Sequence, residues 1–261
     1  MLIIVTGASS GFGYHISKQL IQHGHRVIGI ARRVEHLQHL QQELGRDFFS
    51  LALDLSQPYV YLEEKFKSIP ERFVLENVDV LINNAGLALG LERADNAQID
   101  DWNQMVDVNI KGVLAMTKLV LPFMVKKKSG YIINMGSIAG SYPYPGGHVY
   151  GATKAFIKQF SLNLRADLAG MGIRVSNVEP GLSAGTEFSY VRFRGDTERV
   201  KALYEEVDAI QPEDIANTVL WLISQPKHIN INRIEIMPIS QSSSALDVVK
   251  GSVYADKFVS P

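Results

Sequence analysis

The 261-residue chain contains no cysteine, so disulfide staples, thiol nucleophiles and cysteine-ligated metal centres are excluded at the outset. A charge excess of either sign is also missing. Lys and Arg number 26 against 27 Asp and Glu, a balance that argues against a nucleic-acid-binding surface. The run Lys126-Lys127-Lys128 reads as a solvated helix end. Charged or helix-breaking residues interrupt each apolar run short of the ~20 residues needed to cross a bilayer. The first apolar block starts at Leu2 with no basic segment before it, so a cytoplasmic protein that meets neither membrane nor nucleic acid is expected. Seven histidines, with His36 and His39 on a polar helix face, show no metal-ligand spacing with acidic partners, and no metal is expected.

Hydrophobic residues make up 46% of the chain and fall in short blocks. Strand-like runs near 2–6, 26–31, 48–53, 78–83, 131–136, 173–178 and 231–237 alternate with segments of helical period. Seven strands alternating with helices imply an α/β fold: a doubly wound parallel sheet with helices on both faces. Val34, Leu37, Leu40 and Leu44 mark one helix face; Pro212-Glu213-Asp214 opens another helix, with Ile215, Val219 and Leu222 inward. A chain of this length buries about three-quarters of its unfolded surface, enough for a single core. The tail 241–261 has no clear period, so the expected domain is 1–240 and the role of the tail stays open.

Directly after the first apolar run comes Gly7-Ala8-Ser9-Ser10-Gly11-Phe12-Gly13, and helical period then begins with Ile16, Leu20 and Ile21. Strand, glycine-rich turn and helix are the context of a dinucleotide site. Glycines let the backbone approach a pyrophosphate, and free N–H groups at the helix start attract it. The second run ends in Arg32-Arg33, where an NAD site would offer a carboxylate to the adenosine ribose. Guanidinium groups there grip a 2′-phosphate, so NADP(H) is the expected cofactor.

Tyr150 and Lys154 stand one helical turn apart, with Ser137 at the end of the apolar run upstream. A phenol with a pKa near ~10 transfers protons poorly at neutral pH, and a nearby cation is expected to bring Tyr150 toward the working range. Spacing alone is weak evidence. Ten tyrosines and fourteen lysines give roughly half such a pair by chance, and the chain holds three, including Tyr14/Lys18 and Tyr61/Lys65. Those two lack a serine at a strand end and read as solvated helix faces.

Thr6-Gly7-x-x-x-Gly11-x-Gly13, Asn83-Asn84-Ala85-Gly86, Asn109, Ser137, Tyr150-x-x-x-Lys154 and Pro180-Gly181 stand in the order and spacing of the short-chain dehydrogenase/reductase family, which the chain resembles from about 1 to 240. Leu87-Ala88-Leu89-Gly90, 149–156, and 179–188 with Val191-Arg192-Phe193 are similar to its NADP-dependent 3-hydroxy acid dehydrogenases, also described as serine or L-allo-threonine dehydrogenases. This resemblance implies a single-domain Rossmann fold and hydride transfer between NADP(H) and the 3-hydroxyl or 3-oxo carbon of a small hydroxy acid or oxo acid. It places Tyr150 as proton donor or acceptor, Ser137 on the substrate oxygen, Lys154 on the nicotinamide ribose and Asn109 on a water chain, although Asn109 could equally satisfy a helix bend. Gly7, Ser9, Ser10, Gly11, Phe12 and Gly13 would cradle phosphates. Asp54 and Leu55 would flank the adenine, unless Asp54 only caps the next helix. Asn84, Ala85 and Gly86 would line the ribose, and Pro180, Gly181 and Thr186 would cover the nicotinamide.

The substrate carboxylate needs a cation, and the loop at about 181–197 offers Arg192 and Arg194; Arg192 or a neighbour is the expected partner. The rigid loop 142–147 between Ser137 and Tyr150 could shape the pocket. A homotetramer is also implied by the resemblance. Two rival readings are a reductase of another carbonyl compound (3-oxoacyl thioester, sugar or steroid) and a non-catalytic NADP sensor.

Overall fold

The computed structural model of the chain describes residues 1–243. Every expected apolar run forms a strand: β1 Leu2–Thr6, β2 Arg26–Ala31, β3 Phe48–Ala52, β4 Val78–Asn83, β5 Gly130–Met135, β6 Ile173–Pro180 and β7 Arg233–Ile236. They make one parallel sheet in the order β3-β2-β1-β4-β5-β6-β7. β7 is shorter than its apolar run: it starts at Arg233, paired with Asn177, and stops at Ile236, paired with Pro180, where β6 ends.

Nine helices among the described residues link the strands: α1 Gly11–Gln22, α2 Val34–Leu44, α3 Tyr59–Phe66, α4 Ile99–Val106, α5 Gly112–Lys127, α6 His148–Asp167, α7 Phe188–Arg192, α8 Thr197–Tyr204 and α9 Pro212–Ser224. Alternation along the strands feeds two cores. Leu2 and Ile4 of β1 join Leu81 of β4 and Met116 and Val120 of α5 on one face. Ile3 and Val5 join Ile82 and the inner side of α9 on the other, where Ile215, Val219 and Leu222 are fully buried. Each such side chain contributes about 1.5–3 kcal/mol relative to exposure. α9 begins as its sequence suggests, with Asp214 Oδ2 accepting from the Gln211 N–H at 2.8 Å. In α2, Leu37 and Leu40 are buried, whereas Val34 is 46% exposed because it is the first helical residue, where the chain is still leaving β2.

α4 and α5 run on through a wider π turn, Asp107–Lys111. The resulting Ile99–Lys127 stretch is, among the described residues, long and apolar enough to cross a membrane by length and composition. The sequence reading missed this because Lys111 and Lys118 break its apolar character. Here Met116, Val120 and Met124 pack it into the core against the sheet. Strand order reverses between β1 and β4, and the crevice beyond their carboxyl ends is where ligands of such sheets sit.

Candidate active site

A crevice of about 540 Å³ opens at that point. On its β1 side lie Gly7, Ser9, Ser10, Gly11 and Phe12. Gly11 has φ +52, and a Cβ on Gly13 would come within 2.1 Å of the Gly7 carbonyl, so only glycine lets the turn close this tightly. Gly13 thus shapes the turn and does not itself line the crevice. Ser10 makes no side-chain cap on α1, which leaves the first-turn N–H groups without a side-chain acceptor; this fits a pyrophosphate. Asn84, Ala85 and Gly86 line the facing wall. The Asn84 amide donates to Thr6 O at 2.9 Å, and Thr6 Oγ1 accepts the N–H of both Asn84 and Ala85, so β4 is stitched to the glycine turn.

Farther along, Arg32, Arg33, Asp54 and Leu55 form one end of the crevice. Asp54 also accepts from the Ser56 N–H and hydroxyl, so the capping reading holds beside the lining one. Arg33 is engaged: its two terminal nitrogens meet Glu187 at 3.0 and 2.6 Å. That pairing holds the Glu187 carboxyl below the usual carboxylate range. The partners lie 154 residues apart, and nothing in the sequence pairs them. Arg32 is exposed at the same end.

Ser137, Tyr150 and Lys154 meet at the other end. Ser137 Oγ caps a short turn by accepting the Ala139 N–H at 3.1 Å. α6 carries the other two one turn apart, and both are buried. Burial pushes the Tyr150 phenol up to about 12; a negative Tyr144 would add to that, while the Ser137 hydroxyl and Arg192 favour the phenolate. Burial likewise pulls Lys154 down to about 8. Lys154 donates to Met135 O at 2.8 Å, its nitrogen is 5.8 Å from the Tyr150 ring centroid, and it is not among the groups that lower Tyr150. Ser137 and Arg192 thus favour the phenolate against a larger opposing push from burial, and the same apolar surroundings penalise the lysine's own charge.

The Lys154 shift has a consequence for stability. Between pH 8 and 10.5 the unfolded chain keeps a proton that the folded chain has released, so this group adds stability as pH rises through that window. Below it, the buried ammonium opposes folding by roughly 3 kcal/mol, offset by about 1 kcal/mol from its bond to Met135. Lys154→Met should raise the Tm at pH 7 by roughly 4–8 °C, with the gain shrinking toward pH 10.5. Calorimetry showing a lower Tm at pH 7 would refute this.

Asn109 sits in the π turn, buried outside the crevice. Its amide donates to Leu87 O and Thr153 Oγ1, and its Oδ1 accepts the Leu87 N–H at 2.9 Å. Its side chain thus secures the segment behind Lys154 and the bend itself. Below the site, Asn83 donates to Asn134 and Thr117, and Asn134 donates to Ser161, tying β4 and β5 to α5 and α6.

Pro180, Gly181 and Thr186 roof the crevice, with Thr186 against Gly11. Of the two loop arginines, only Arg192 faces it. Arg192 Nη2 donates to the Tyr144 hydroxyl at 2.7 Å, and its guanidinium lies 5.6 Å from the Tyr150 ring centroid. Arg194, with φ +54, turns outward and pairs with Asp101. Sequence reading pointed to the 142–147 loop but gave Tyr144 no task. The other Tyr–Lys pairs are surface features: Tyr14 and Lys18 share Glu43, and Tyr61 is 45% exposed beside Lys65. Lys127 pairs with Asp79 at the end of α5. Of the tail, Gln241 reaches the crevice and accepts the Leu182 N–H at 2.8 Å; residues 244–261 lie outside those described.

The profile of the family described as short chain dehydrogenase matches residues 1–195. A protein of Haemophilus influenzae called a probable NADP-dependent dehydrogenase is 56% identical over 247 residues, which cover 95% of this chain and 97% of that one. The NADP-dependent 3-hydroxy acid dehydrogenase YdfG of Salmonella typhi is 51% identical over 248 residues, covering 95% and 99%. Among solved structures, the closed form of serine dehydrogenase complexed with NADP+ superposes with a TM-score of 0.91 at 49% identity, covering 96% of this chain and all of that one.

Proposed function

The chain belongs to the short chain dehydrogenase family, and we propose that it is an NADP-dependent oxidoreductase acting on the 3-hydroxyl or 3-oxo carbon of small 3-hydroxy acids such as serine, L-allo-threonine and 3-hydroxypropionate. Relatives named for 3-hydroxy acids and serine support the substrate class, and the NADP+ complex of a similar structure supports the cofactor. One observation carries the acid specificity: Arg192 faces the end of the crevice that holds Tyr150 and Ser137, its guanidinium 5.6 Å from the Tyr150 ring centroid.

When bound, NADP(H) accepts or supplies the hydride. Gly7, Gly11 and the start of α1 would hold its pyrophosphate, Arg32 and Arg33 its 2′-phosphate, and Lys154 its ribose. Ser137 holds the substrate oxygen. Tyr150 takes the hydroxyl proton in oxidation and returns it in reduction. Burial keeps Tyr150 protonated, which suits the reductive step; Ser137 and Arg192 assist the phenolate that oxidation needs. Arg192 orients the acid through its carboxylate. Residues 1–240 act as one catalytic domain, with the substrate loop at about 181–197. Exposed Phe156 and Leu162 on α6, with Leu114 and Val125 on α5, suit a homotetramer in the cytoplasm.

Steady-state kinetics of Arg192→Ala test the substrate class. The KM for 3-hydroxy acids should rise about 10- to 100-fold, as for loss of a charge-assisted hydrogen bond, with little change for neutral alcohols. Equal losses on both would remove the acid reading and leave another carbonyl substrate.

A further inference from the structure

We propose that Tyr144 is a specificity-determining residue, forming with Arg192 a two-donor seat for the substrate carboxylate. The inference rests on the 3-hydroxy acid reading above and deepens it. Tyr144 lines the crevice with Ser137 and Tyr150, although it lies on the separate loop 142–147. Its ring lies on Gly147, where a Cβ would come within 2.6 Å of it; glycine there makes room for an aromatic side chain at 144.

Three contacts aim Arg192. Nε donates to Gly90 O at 3.3 Å, Nη2 donates to the Tyr144 hydroxyl at 2.7 Å, and the guanidinium stands 5.2 Å from the Tyr144 ring centroid. The backbone is sewn down as well, with the Gly90 N–H donating to Arg192 O at 3.0 Å. Because the phenol oxygen accepts from Arg192, its own proton is left to donate, and no protein acceptor for it occurs among the described residues. Arg192 Nη1 likewise makes no hydrogen bond among them. The phenol O–H and both N–H groups of Nη1 therefore remain to donate on two residues that line the crevice, a pair of side chains suited to the two oxygens of a carboxylate.

Distance sets the acid's length. The guanidinium is 5.6 Å from the Tyr150 ring centroid, so a short acid suits a seat this near the phenol. A 3-hydroxy acid, with one carbon between carbinol and carboxyl, meets that requirement. Longer hydroxy acids would press the carboxylate past the pair.

Tyr144→Phe keeps the ring over Gly147 and its stacking with Arg192 but removes the hydroxyl. With NADP+, its KM for 3-hydroxypropionate and serine should rise about 10-fold, kcat should change less than about threefold, and NADP+ affinity and Tm should be unchanged. The KM for the neutral methyl ester of 3-hydroxypropionate should stay at the wild-type value. An equal rise on acid and ester, or no rise on the acid, overturns the role of Tyr144. Arg192→Ala measured alongside separates the two claims: selective loss there without selective loss in Tyr144→Phe removes this inference alone, and non-selective loss in Arg192→Ala removes both.

Discussion

Arg33→Ala weakens NADP(H) binding by about 10- to 100-fold, the worth of a charge-assisted hydrogen-bond pair, and leaves NAD(H) binding within about twofold, a change too small to signify a lost contact. The expectation follows from the position of Arg33 just after β2, at the end of the crevice proposed for the adenosine, where the two cofactors differ only by the 2′-phosphate. Arg33 already holds Glu187 through both terminal nitrogens, so a bound 2′-phosphate would share one guanidinium with that carboxylate, with Arg32 beside them. Glu187→Gln removes the competing charge and keeps Arg33, and NADP(H) binding should not fall. Titration of cofactor fluorescence reads both variants. An equal loss for both cofactors in Arg33→Ala would mean that the residue merely supports the crevice wall.

The sheet was legible because buried parallel strands are nearly continuous apolar runs, and because the residues that end them here, such as Gly7, Asp54 and Gly181, cannot continue a strand pattern. The glycine turn and the Tyr150–Lys154 step were legible for a similar reason: each is local, and the geometry of one turn follows from spacing. What escaped depends on distant packing. Arg33 and Glu187 are joined only when the roof from β6 folds back over β2. Arg192 and Arg194 are two residues apart on one loop, and only the end of α7 and the positive φ of Arg194 send one inward and the other to Asp101. The electrostatics of Lys154 also could not be read from spacing, since burial of the ammonium outweighs its nearness to the phenol.

Tyr150→Phe bears on the chemistry itself. The substitution keeps the aromatic ring, its tilted contact with Phe188 at 5.6 Å and its place in the small apolar cluster with Leu87 and Ala139. Only the hydroxyl is lost, and with it the group proposed to exchange a proton with the substrate oxygen. Burial pushes the phenol up to about 12, so at neutral pH it stands protonated as the donor that reduction needs. Hydride transfer without a matched proton transfer would leave an alkoxide in reduction, or start from an unactivated alcohol in oxidation. General acid–base loss of this kind lowers turnover by about 10²- to 10⁴-fold.

Single-turnover oxidation of serine by Tyr150→Phe, measured beside its NADPH dissociation constant, therefore decides whether proton transfer in this crevice is the work of Tyr150. The expected result is cofactor affinity within about twofold of wild type and a rate lower by at least about 100-fold. A variant that binds NADPH normally and turns over within a few-fold of wild type would contradict it.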